Sequence, residues 1–208
     1  AGALHYAGLM RVDGYGHKRT AEYLSQVRIG LERLSDITAN LLRLGRTVYE
    51  SSRLRLDLNR SIDESIDMFY PVCNKSVRIV RKYSDQLYVK IGADIKHVFT
   101  NLIKNALDSM PDGGELAIST KILPAGVSIA FSDTGSGICE KDRRQIFDPF
   151  FTTKPEGAGS GIGLTICRDI VSGYGGEITV ESVPGFGSTF TILFPAEVLY
   201  TTEGDLDV

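Results

Sequence analysis

The chain has 208 residues, of which 42% are hydrophobic and 24% charged, the balance of a soluble globular protein. Its formal net charge of −3 provides no general basic footprint, so nucleic acid is not an expected partner. Three cysteines without a CxxC pair argue against a disulfide framework or a zinc site. No apolar run reaches the roughly 18 residues of a membrane span, and we expect a cytoplasmic location.

Residues 1–51 predict a helical hairpin. Apolar residues recur at spacings of three and four from Leu24 to Val48, which indicates one apolar stripe along a helix. No proline interrupts residues 20–49, which would make a helix roughly 45 Å long. A shorter apolar face in residues 1–12 precedes the turn "VDGYGH", so the first helix is truncated. Because a narrow stripe needs partner helices, missing residues or a second subunit must cover it. A single helix docked on its own globular domain is the alternative.

Residues 52–198 alternate between strands and helices. "RLRLDL" (53–58) predicts a strand, and "NRSIDESIDMFYPV" predicts a helix with Asn59 or Ser61 near its cap. The later segments predict strands in "SVRIVRKY" and "LYVKI", a helix in "GADIKHVFTNLIKNALDSM", a hairpin in "GELAISTKIL" and "GVSIAFSD", a helix in "GIGLTICRDIVSGY" and a last hairpin in "GGEITVESVPGFGSTFTILFP". This order predicts an α+β fold, an α/β sandwich with a mixed sheet and helices on one face. Residues 199–208 read as an acidic flexible tail.

Two short polar clusters could carry chemistry. Asn101 and Asn105 are four residues apart, so they share one helix face and could ligate a metal ion through their carbonyl oxygens. Asp133 ends a buried-type strand, where a carboxylate needs a partner such as an exocyclic amine. Gly135 and Gly137 then allow a ligand to approach the backbone closely. The plain alternatives are a pair of solvated amides and an ordinary turn.

A glycine-rich segment follows the aromatic residues of "IFDPFF". Glycine stands at every second position from Gly157 to Gly163, and the amides of such a segment can fold around phosphates. The helix that follows directs its N-terminus at this loop, which favours anions. No window matches GxxxxGK[ST] or GxGxxG, so a Walker A loop and a Rossmann fingerprint are excluded. The alternative is a plain flexible loop.

Taken in order, these clusters closely resemble the catalytic ATP-binding domain of sensor histidine kinases, within the gyrase, Hsp90 and MutL-like ATPase superfamily. "NLIKNALDSM" resembles the N box, "DTGSGI" the G1 box, "FDPFFTTK" the F box and "GSGIGLTICRDIV" the G2 box. "RLSDITANLLRLGR" is similar to the second helix of the family's dimerisation hairpin, which implies a homodimer through the hairpin.

The resemblance implies an enzyme that binds ATP and Mg²⁺ under a mobile lid. Asn105 would ligate Mg²⁺, with Asn101 nearby in the phosphate region, and both would be catalytic. Asp133 would hold the adenine amine. The other residues implied at the ATP site are Gly135, Gly137, Phe150, Lys154, Gly159, Gly161 and Gly163.

Two positions depart from the family pattern. Tyr174 stands where a His-Gly-Gly turn normally has its histidine, and we expect this difference to affect packing more than catalysis. No "HExxxP" motif occurs, so the phospho-acceptor histidine is expected upstream of Ala1, with His5 and His17 as alternatives.

The resemblance therefore implies an ATP-dependent protein histidine kinase core. It would transfer the γ-phosphoryl group to a histidine on the dimer hairpin and then to an aspartate of a response regulator receiver domain. The alternatives are a nucleotide-binding dimeric module, a hydrolysing ATPase and a serine kinase. Asn101 stands where the hydrolysing enzymes place a glutamate base, and the long helix of residues 20–50 disfavours the serine kinases. Membrane attachment of the full-length protein stays open.

Overall fold

The computed structural model describes residues 55–69, 76–85, 87–155 and 159–200. The chain divides into two compact units, one of residues 1–49 and 149–163 and one of residues 50–148 and 164–208. The predicted hairpin of residues 1–51 lies outside the described residues, as do residues 201–208 of the predicted tail. The predicted domain boundaries stay predictions.

The part of the larger unit that the structure describes contains seven strands. They are β1 (Arg55–Asp57), β2 (Val77–Lys82), β3 (Tyr88–Lys90), β4 (Gly114–Leu123), β5 (Gly126–Asp133), β6 (Glu177–Val183) and β7 (Gly187–Pro195). The helices are α1 (Leu58–Asp67), α2 (Ile95–Asp108), α3 (Glu140–Arg143) and α4 (Gly163–Gly173), followed by a short 3₁₀ turn at Ala196–Val198. None of the helices in the described ranges is long and apolar enough to cross a membrane.

Five of the strands form one mixed sheet in the order β2-β4-β5-β7-β6. Strands β2 and β4 run parallel, while β4, β5, β7 and β6 pair antiparallel. Both predicted hairpins are therefore confirmed, and so is the predicted mixed sheet. Strands β1 and β3 form a separate antiparallel pair.

One face of the sheet carries the core. Along β5 every second side chain is buried, and Ile129 and Phe131 stand opposite Ile192 and Phe190 of β7. The apolar stripe of α2 covers this face, and its Phe99 ring lies 5.9 Å from the Phe131 ring. Helix α1 packs against α2. Burial of the large apolar side chains on both surfaces is the main stabilising term, and it fixes α2 across the strands.

The start of α1 differs from the prediction. The helix begins at Leu58, and its cap is Asp57, whose Oδ1 accepts a hydrogen bond of 3.0 Å from the backbone N–H of Arg60. Asn59 and Ser61 are inside the helix and not at its cap. The Asn59 amide donates instead to the Ser84 carbonyl at 2.7 Å, and the Ser61 hydroxyl donates to the Asp57 carbonyl at 2.8 Å. The predicted strand was too long at this end because the buried Leu58 continues the apolar alternation of "RLRLDL".

Candidate functional site

Helix α2 presents three polar side chains at intervals of four residues. Asn101 and Asn105 are half-buried and lie one helical turn apart, as the sequence predicts. Ser109 follows at the helix end, where its backbone N–H bonds the Asn105 carbonyl at 3.1 Å. The apolar stripe of the same helix is buried in the core. The two amides are therefore held by a helix whose rotation about its own axis is fixed by packing.

Asp133 ends β5 with its carboxylate inside the protein. The residue is only 8% exposed, and three donors surround its Oδ1 atom. They are the backbone N–H of Gly135 at 2.9 Å, the Ser109 hydroxyl at 3.2 Å and the backbone N–H of Ser188 at 3.3 Å. Each hydrogen bond from the described residues to this side chain ends on Oδ1. The arrangement fixes the carboxylate plane and leaves Oδ2 as an acceptor for a further donor.

Burial raises the pKa of Asp133 above its ordinary value of 3.8, and the hydrogen bonds from Gly135, Ser109 and Ser188 work against that rise. Burial is the larger effect, because transfer from water penalises the charged form. A buried carboxylate with a spare oxygen is suited to accept a hydrogen bond from a ligand amine, which would replace the water that it has lost.

The glycines around Asp133 allow main chain to pack against it. A Cβ atom on Gly135 would lie 2.1 Å from the Ser109 hydroxyl oxygen. Gly137 has φ of +67°, and a Cβ atom there would lie 2.2 Å from the Val183 carbonyl oxygen. Both sites therefore exclude larger residues, because the end of α2 and the β6–β7 turn occupy the space. The sequence interpretation of these glycines as room for a ligand stays a prediction.

Residues 149–155 and 159–163 belong to the smaller unit and hold the remaining candidates. The backbone N–H of Phe150 donates to the Gly161 carbonyl at 2.9 Å, which closes the base of the glycine-rich loop. Both residues have φ of +67°, and a Cβ atom on Gly161 would lie 2.4 Å from the Phe150 carbonyl carbon. Phe150 is 75% exposed. An exposed aromatic residue in the left-handed region is uncommon, so the tight closure determines its backbone conformation.

Inside that closure the loop folds on itself. The backbone N–H of Lys154 donates to the Thr152 hydroxyl at 3.1 Å. A Cβ atom on Gly159 would lie 2.7 Å from the same hydroxyl oxygen. Gly163 is the first residue of α4, so the glycine-rich segment leads into a helix N-terminus as predicted. Phe150, Lys154, Gly159 and Gly161 thus lie in the smaller unit, and Asn101, Asn105, Asp133, Gly135 and Gly137 lie in the larger one.

The implied Mg²⁺ fits the donor chemistry of α2. Mg²⁺ takes oxygen ligands, and in nucleotide sites it is held by one or two protein groups, with substrate phosphates and water completing the shell. Among the described residues, no group of three His, Cys, Asp or Glu side chains is placed to hold a metal ion. The amide oxygen of Asn105 is the kind of single protein ligand that a phosphate-bound Mg²⁺ needs.

Sequence reasoning missed two residues of this site. Ser109 and Ser188 orient Asp133, yet neither was singled out from the sequence. The available signal for Ser109 was its position four residues after Asn105, on the face that already carries two polar side chains. The backbone contact of Ser188 has no local signal, because it arises from the pairing of β7 with β5 opposite Asp133.

Two relatives illustrate the similarity of the chain to named proteins. It is 36% identical to sporulation kinase D of Bacillus subtilis (strain 168) over 177 residues, which cover 83% of this chain and 34% of that protein. It is 32% identical to the sensor histidine kinase ZraS of Escherichia coli (strain K12) over 170 residues, which cover 80% of this chain and 36% of that protein. The chain thus spans about a third of the length of the curated relatives it matches.

Solved structures show the same fold. The catalytic domain of histidine kinase ThkA matches with a TM-score of 0.62 and 30% identity over 69% of this chain and 95% of that one. The Acinetobacter baumannii histidine kinase AdeS matches with a TM-score of 0.72 over 93% of both chains, at 20% identity. The second likeness concerns the fold alone.

A family model described as "Histidine kinase-, DNA gyrase B-, and HSP90-like ATPase" matches residues 91–198, which include α2, Asp133 and the glycine-rich loop. These residues make up more than half of the sequence, and the relatives above are named as a sporulation kinase and a sensor histidine kinase. The chain therefore belongs to the histidine kinase-, DNA gyrase B- and HSP90-like ATPase family.

Proposed function

We propose that this chain is the ATP-binding core of a protein histidine kinase in a two-component system. It binds Mg·ATP, transfers the γ-phosphoryl group to a histidine of a dimeric helical hairpin, and passes it on to an aspartate of a response regulator. The family match and the kinase names of the relatives support this assignment. The single observation that carries it in the structure is the geometry of Asp133.

Asp133 supports adenine recognition through its free acceptor. Its Oδ1 atom accepts from Ser109, Gly135 and Ser188, so the carboxylate cannot rotate without breaking those hydrogen bonds. The exocyclic amine of adenine can donate a hydrogen bond to Oδ2. A keto base such as hypoxanthine presents an acceptor at the same position, which would leave two acceptors facing each other. The site therefore favours adenine by both attraction and repulsion.

We assign the phosphate end to α2 and the glycine-rich loop. Asn105 would ligate Mg²⁺, and Asn101 would lie beside the phosphates. Lys154 and the loop residues Gly159, Gly161 and Gly163 would supply positive charge and backbone donors, an assignment that rests on the sequence resemblance. Mg²⁺, when bound, neutralises charge on the phosphate oxygens. Catalysis of this kind relies on positioning and charge stabilisation, because the protein contributes little covalent chemistry.

The transfer step needs a nucleophile outside the described residues. A neutral imidazole nitrogen attacks the γ-phosphorus, the bond from that phosphorus to the β–γ bridging oxygen breaks, and ADP leaves with the electron pair. The proton on the other ring nitrogen passes to solvent. The acceptor would be a histidine that precedes residue 1, or His5 or His17. We further propose that residues 1–51 form the homodimer, that the partner is a receiver domain and that this part of the protein works in the cytoplasm.

The test uses ATP labelled at the γ-phosphate. The 208-residue chain and a longer version that includes the preceding residues are incubated with labelled ATP and Mg²⁺, and protein-bound label is measured. Label that is stable to alkali and labile to acid, as expected for phosphohistidine, is expected on the longer version. The matched control is Asn105→Ala in both lengths, which should remove the label and the thermal stabilisation by Mg·ATP.

Three outcomes would contradict parts of the proposal. Binding of Mg·ATP without any label on the longer version would favour a nucleotide-binding module. Steady release of phosphate without protein label would favour a hydrolysing ATPase. An unchanged thermal shift in the Asn105→Ala variant would remove Asn105 from the site.

A further inference from the structure

The hydroxyl of Tyr174, at the turn after α4, contacts the segment that begins α2. It donates a hydrogen bond of 2.6 Å to Asp94 Oδ1, and it accepts one of 3.0 Å from the backbone N–H of Gly92. Its ring lies edge-on to Phe194, with the ring centroids 6.5 Å apart and the planes at 78°. One hydroxyl therefore uses both its donor and an acceptor to join the G2-box helix to the start of the N-box helix.

Asp94 is used in an unusual way. It occupies the N-cap position of α2, where an aspartate normally accepts a hydrogen bond from the first turn of its own helix. Here it has a helical backbone conformation and makes no side-chain cap hydrogen bond. Its carboxylate bonds Tyr174 instead. The first turn of α2 thus has no side-chain cap from Asp94, whose carboxylate is bonded from the turn after α4 instead.

The surroundings leave the hydroxyl little freedom. A Cβ atom on Gly92 would lie 2.5 Å from the Tyr174 hydroxyl oxygen, so the close approach requires glycine at that position. Burial, together with the hydrogen bond to Asp94, raises the pKa of Tyr174 to about 12. The phenol therefore keeps its proton throughout the neutral range, and the contact does not change with pH there.

Helix α2 thus has a polar anchor near each end, beside the ion pair that Lys96 in its first turn makes with Glu64 of α1. Tyr174 holds Gly92 and Asp94 at the start, and Asp133 holds Ser109 at the end. Asn101 lies between them, about 9 Å along the axis from Ile95 at 1.5 Å per residue. The apolar stripe of α2 resists rotation, but apolar contact is non-directional and resists sliding along the axis less well. Directed hydrogen bonds near the two ends therefore help to fix the position of α2 along its axis.

We propose that Tyr174 is a positioning residue for nucleotide binding, which acts through Gly92 and Asp94 to set the axial position of α2 and hence of Asn101 and Asn105. This inference rests on the proposed function, because it assigns phosphate and metal contacts to those two amides. Asp133 keeps its donors Gly135 and Ser188 when α2 shifts, so the loss should weaken contacts at the phosphate end more than adenine contacts at Asp133.

The test compares two tyrosine-to-phenylalanine variants in the 208-residue chain. Tyr174→Phe removes the anchor. Tyr83→Phe is the matched control, since Tyr83 is also half-buried and donates to a carboxylate, Asp63, at 3.1 Å, but the bond joins β2 to α1. Dissociation constants for Mg·ATP and for adenosine are measured by calorimetry, and each thermal midpoint is recorded. Tyr174→Phe should weaken Mg·ATP binding about fivefold or more, with adenosine binding changed less than about twofold.

A second variant and a double-mutant cycle test whether the effect of Tyr174 passes through Gly92 and Asp94. Gly92→Ala places a methyl group against the hydroxyl and should reproduce the selective loss of Mg·ATP affinity. Combining Tyr174→Phe with Asp94→Ala should cost no more than the larger single change, because the two side chains act as one unit.

The results separate this inference from the proposed function. If the unmodified chain binds neither Mg·ATP nor adenosine, the proposed function fails. If it binds both, and Tyr174→Phe matches Tyr83→Phe or weakens both ligands equally, Tyr174 is a structural residue and the positioning role is overturned.

Discussion

The hydroxyl of Ser109 lies 3.2 Å from Asp133 Oδ1 and 2.7 Å from the Ala106 carbonyl oxygen. Its one proton is therefore shared between an acceptor at the end of α2 and an acceptor at the end of β5. The contact joins the N box to the G1 box through side chains. It means that the metal-binding and adenine-binding parts of the proposed site share one structural link. A change at Ser109 should therefore reach the nucleotide even though Ser109 is not proposed to touch it.

Ser109→Ala should weaken nucleotide binding a few-fold and lower the stability of the fold by about 1 kcal/mol, the usual net value of a hydrogen bond. The variant leaves Asp133 with two of its three donors, so its pKa should rise further. Urea unfolding and calorimetry with Mg·ATP measure the two effects. Ser172→Ala, at an exposed position of α4, is the control and should change neither quantity. Equal effects of the two variants would remove Ser109 from the site.

Asp133→Asn should change which base the site accepts. The amide can keep its oxygen toward the donors of Ser109, Gly135 and Ser188, which places an NH₂ group where Oδ2 stood. That group repels the adenine amine and suits the keto oxygen of hypoxanthine. We expect affinity for ATP to fall about tenfold or more while affinity for inosine triphosphate is kept or increases. Parallel titrations with the two nucleotides check this, and equal losses for both would contradict direct recognition of the base.

The pH dependence of stability should also carry a signature of Asp133. Its pKa in the folded chain is raised above 3.8 by burial, so the folded state binds this proton more tightly than the unfolded state. The stabilising contribution is therefore present below pH 3.8 and is lost as pH rises through the higher folded pKa. The stability of the unmodified chain minus that of Asp133→Asn should fall across this window in urea titrations. A flat or rising difference would show that the buried carboxylate is not a titrating group of this kind.

Glycine positions offer a direct test of the loop closure. Gly161→Ala forces a side chain into the left-handed region and against the Phe150 main chain, so it should open the base of the loop at a cost of about 1–2 kcal/mol or more. Gly173→Ala is the matched control, because a Cβ atom there meets nothing within 4 Å, and it should be neutral or stabilising by up to about 1 kcal/mol. Limited proteolysis of residues 151–160 and thermal unfolding report the difference. Comparable cleavage of both variants would contradict the closure.

Much of this architecture could be predicted because its signals are local. The apolar stripe of α2 and the alternation in β4 and β5 are each contained in one segment, and the order of the boxes indicated the family. The features that were not predicted depend on contacts between segments. Ser188 reaches Asp133 only through strand pairing, and the hydroxyl of Tyr174 meets Asp94 across 80 residues of sequence. The positive φ of Phe150 follows from its hydrogen bond to Gly161, and no local rule predicts it for an aromatic residue.

The cap of α1 gives the last prediction. Asp57 is both the final residue of β1 and the N-cap of α1, so the strand and the helix meet without a loop. Asp57→Ala removes the acceptor for the Arg60 backbone N–H and should lower the stability by about 1 kcal/mol, whereas Asp57→Asn should recover most of the loss because asparagine also caps well. Asp67→Ala, at the exposed end of the same helix, controls for the loss of one negative charge. Urea unfolding of the three variants measures the order, and a loss in Asp67→Ala as large as that in Asp57→Ala would show that charge matters here and the cap does not.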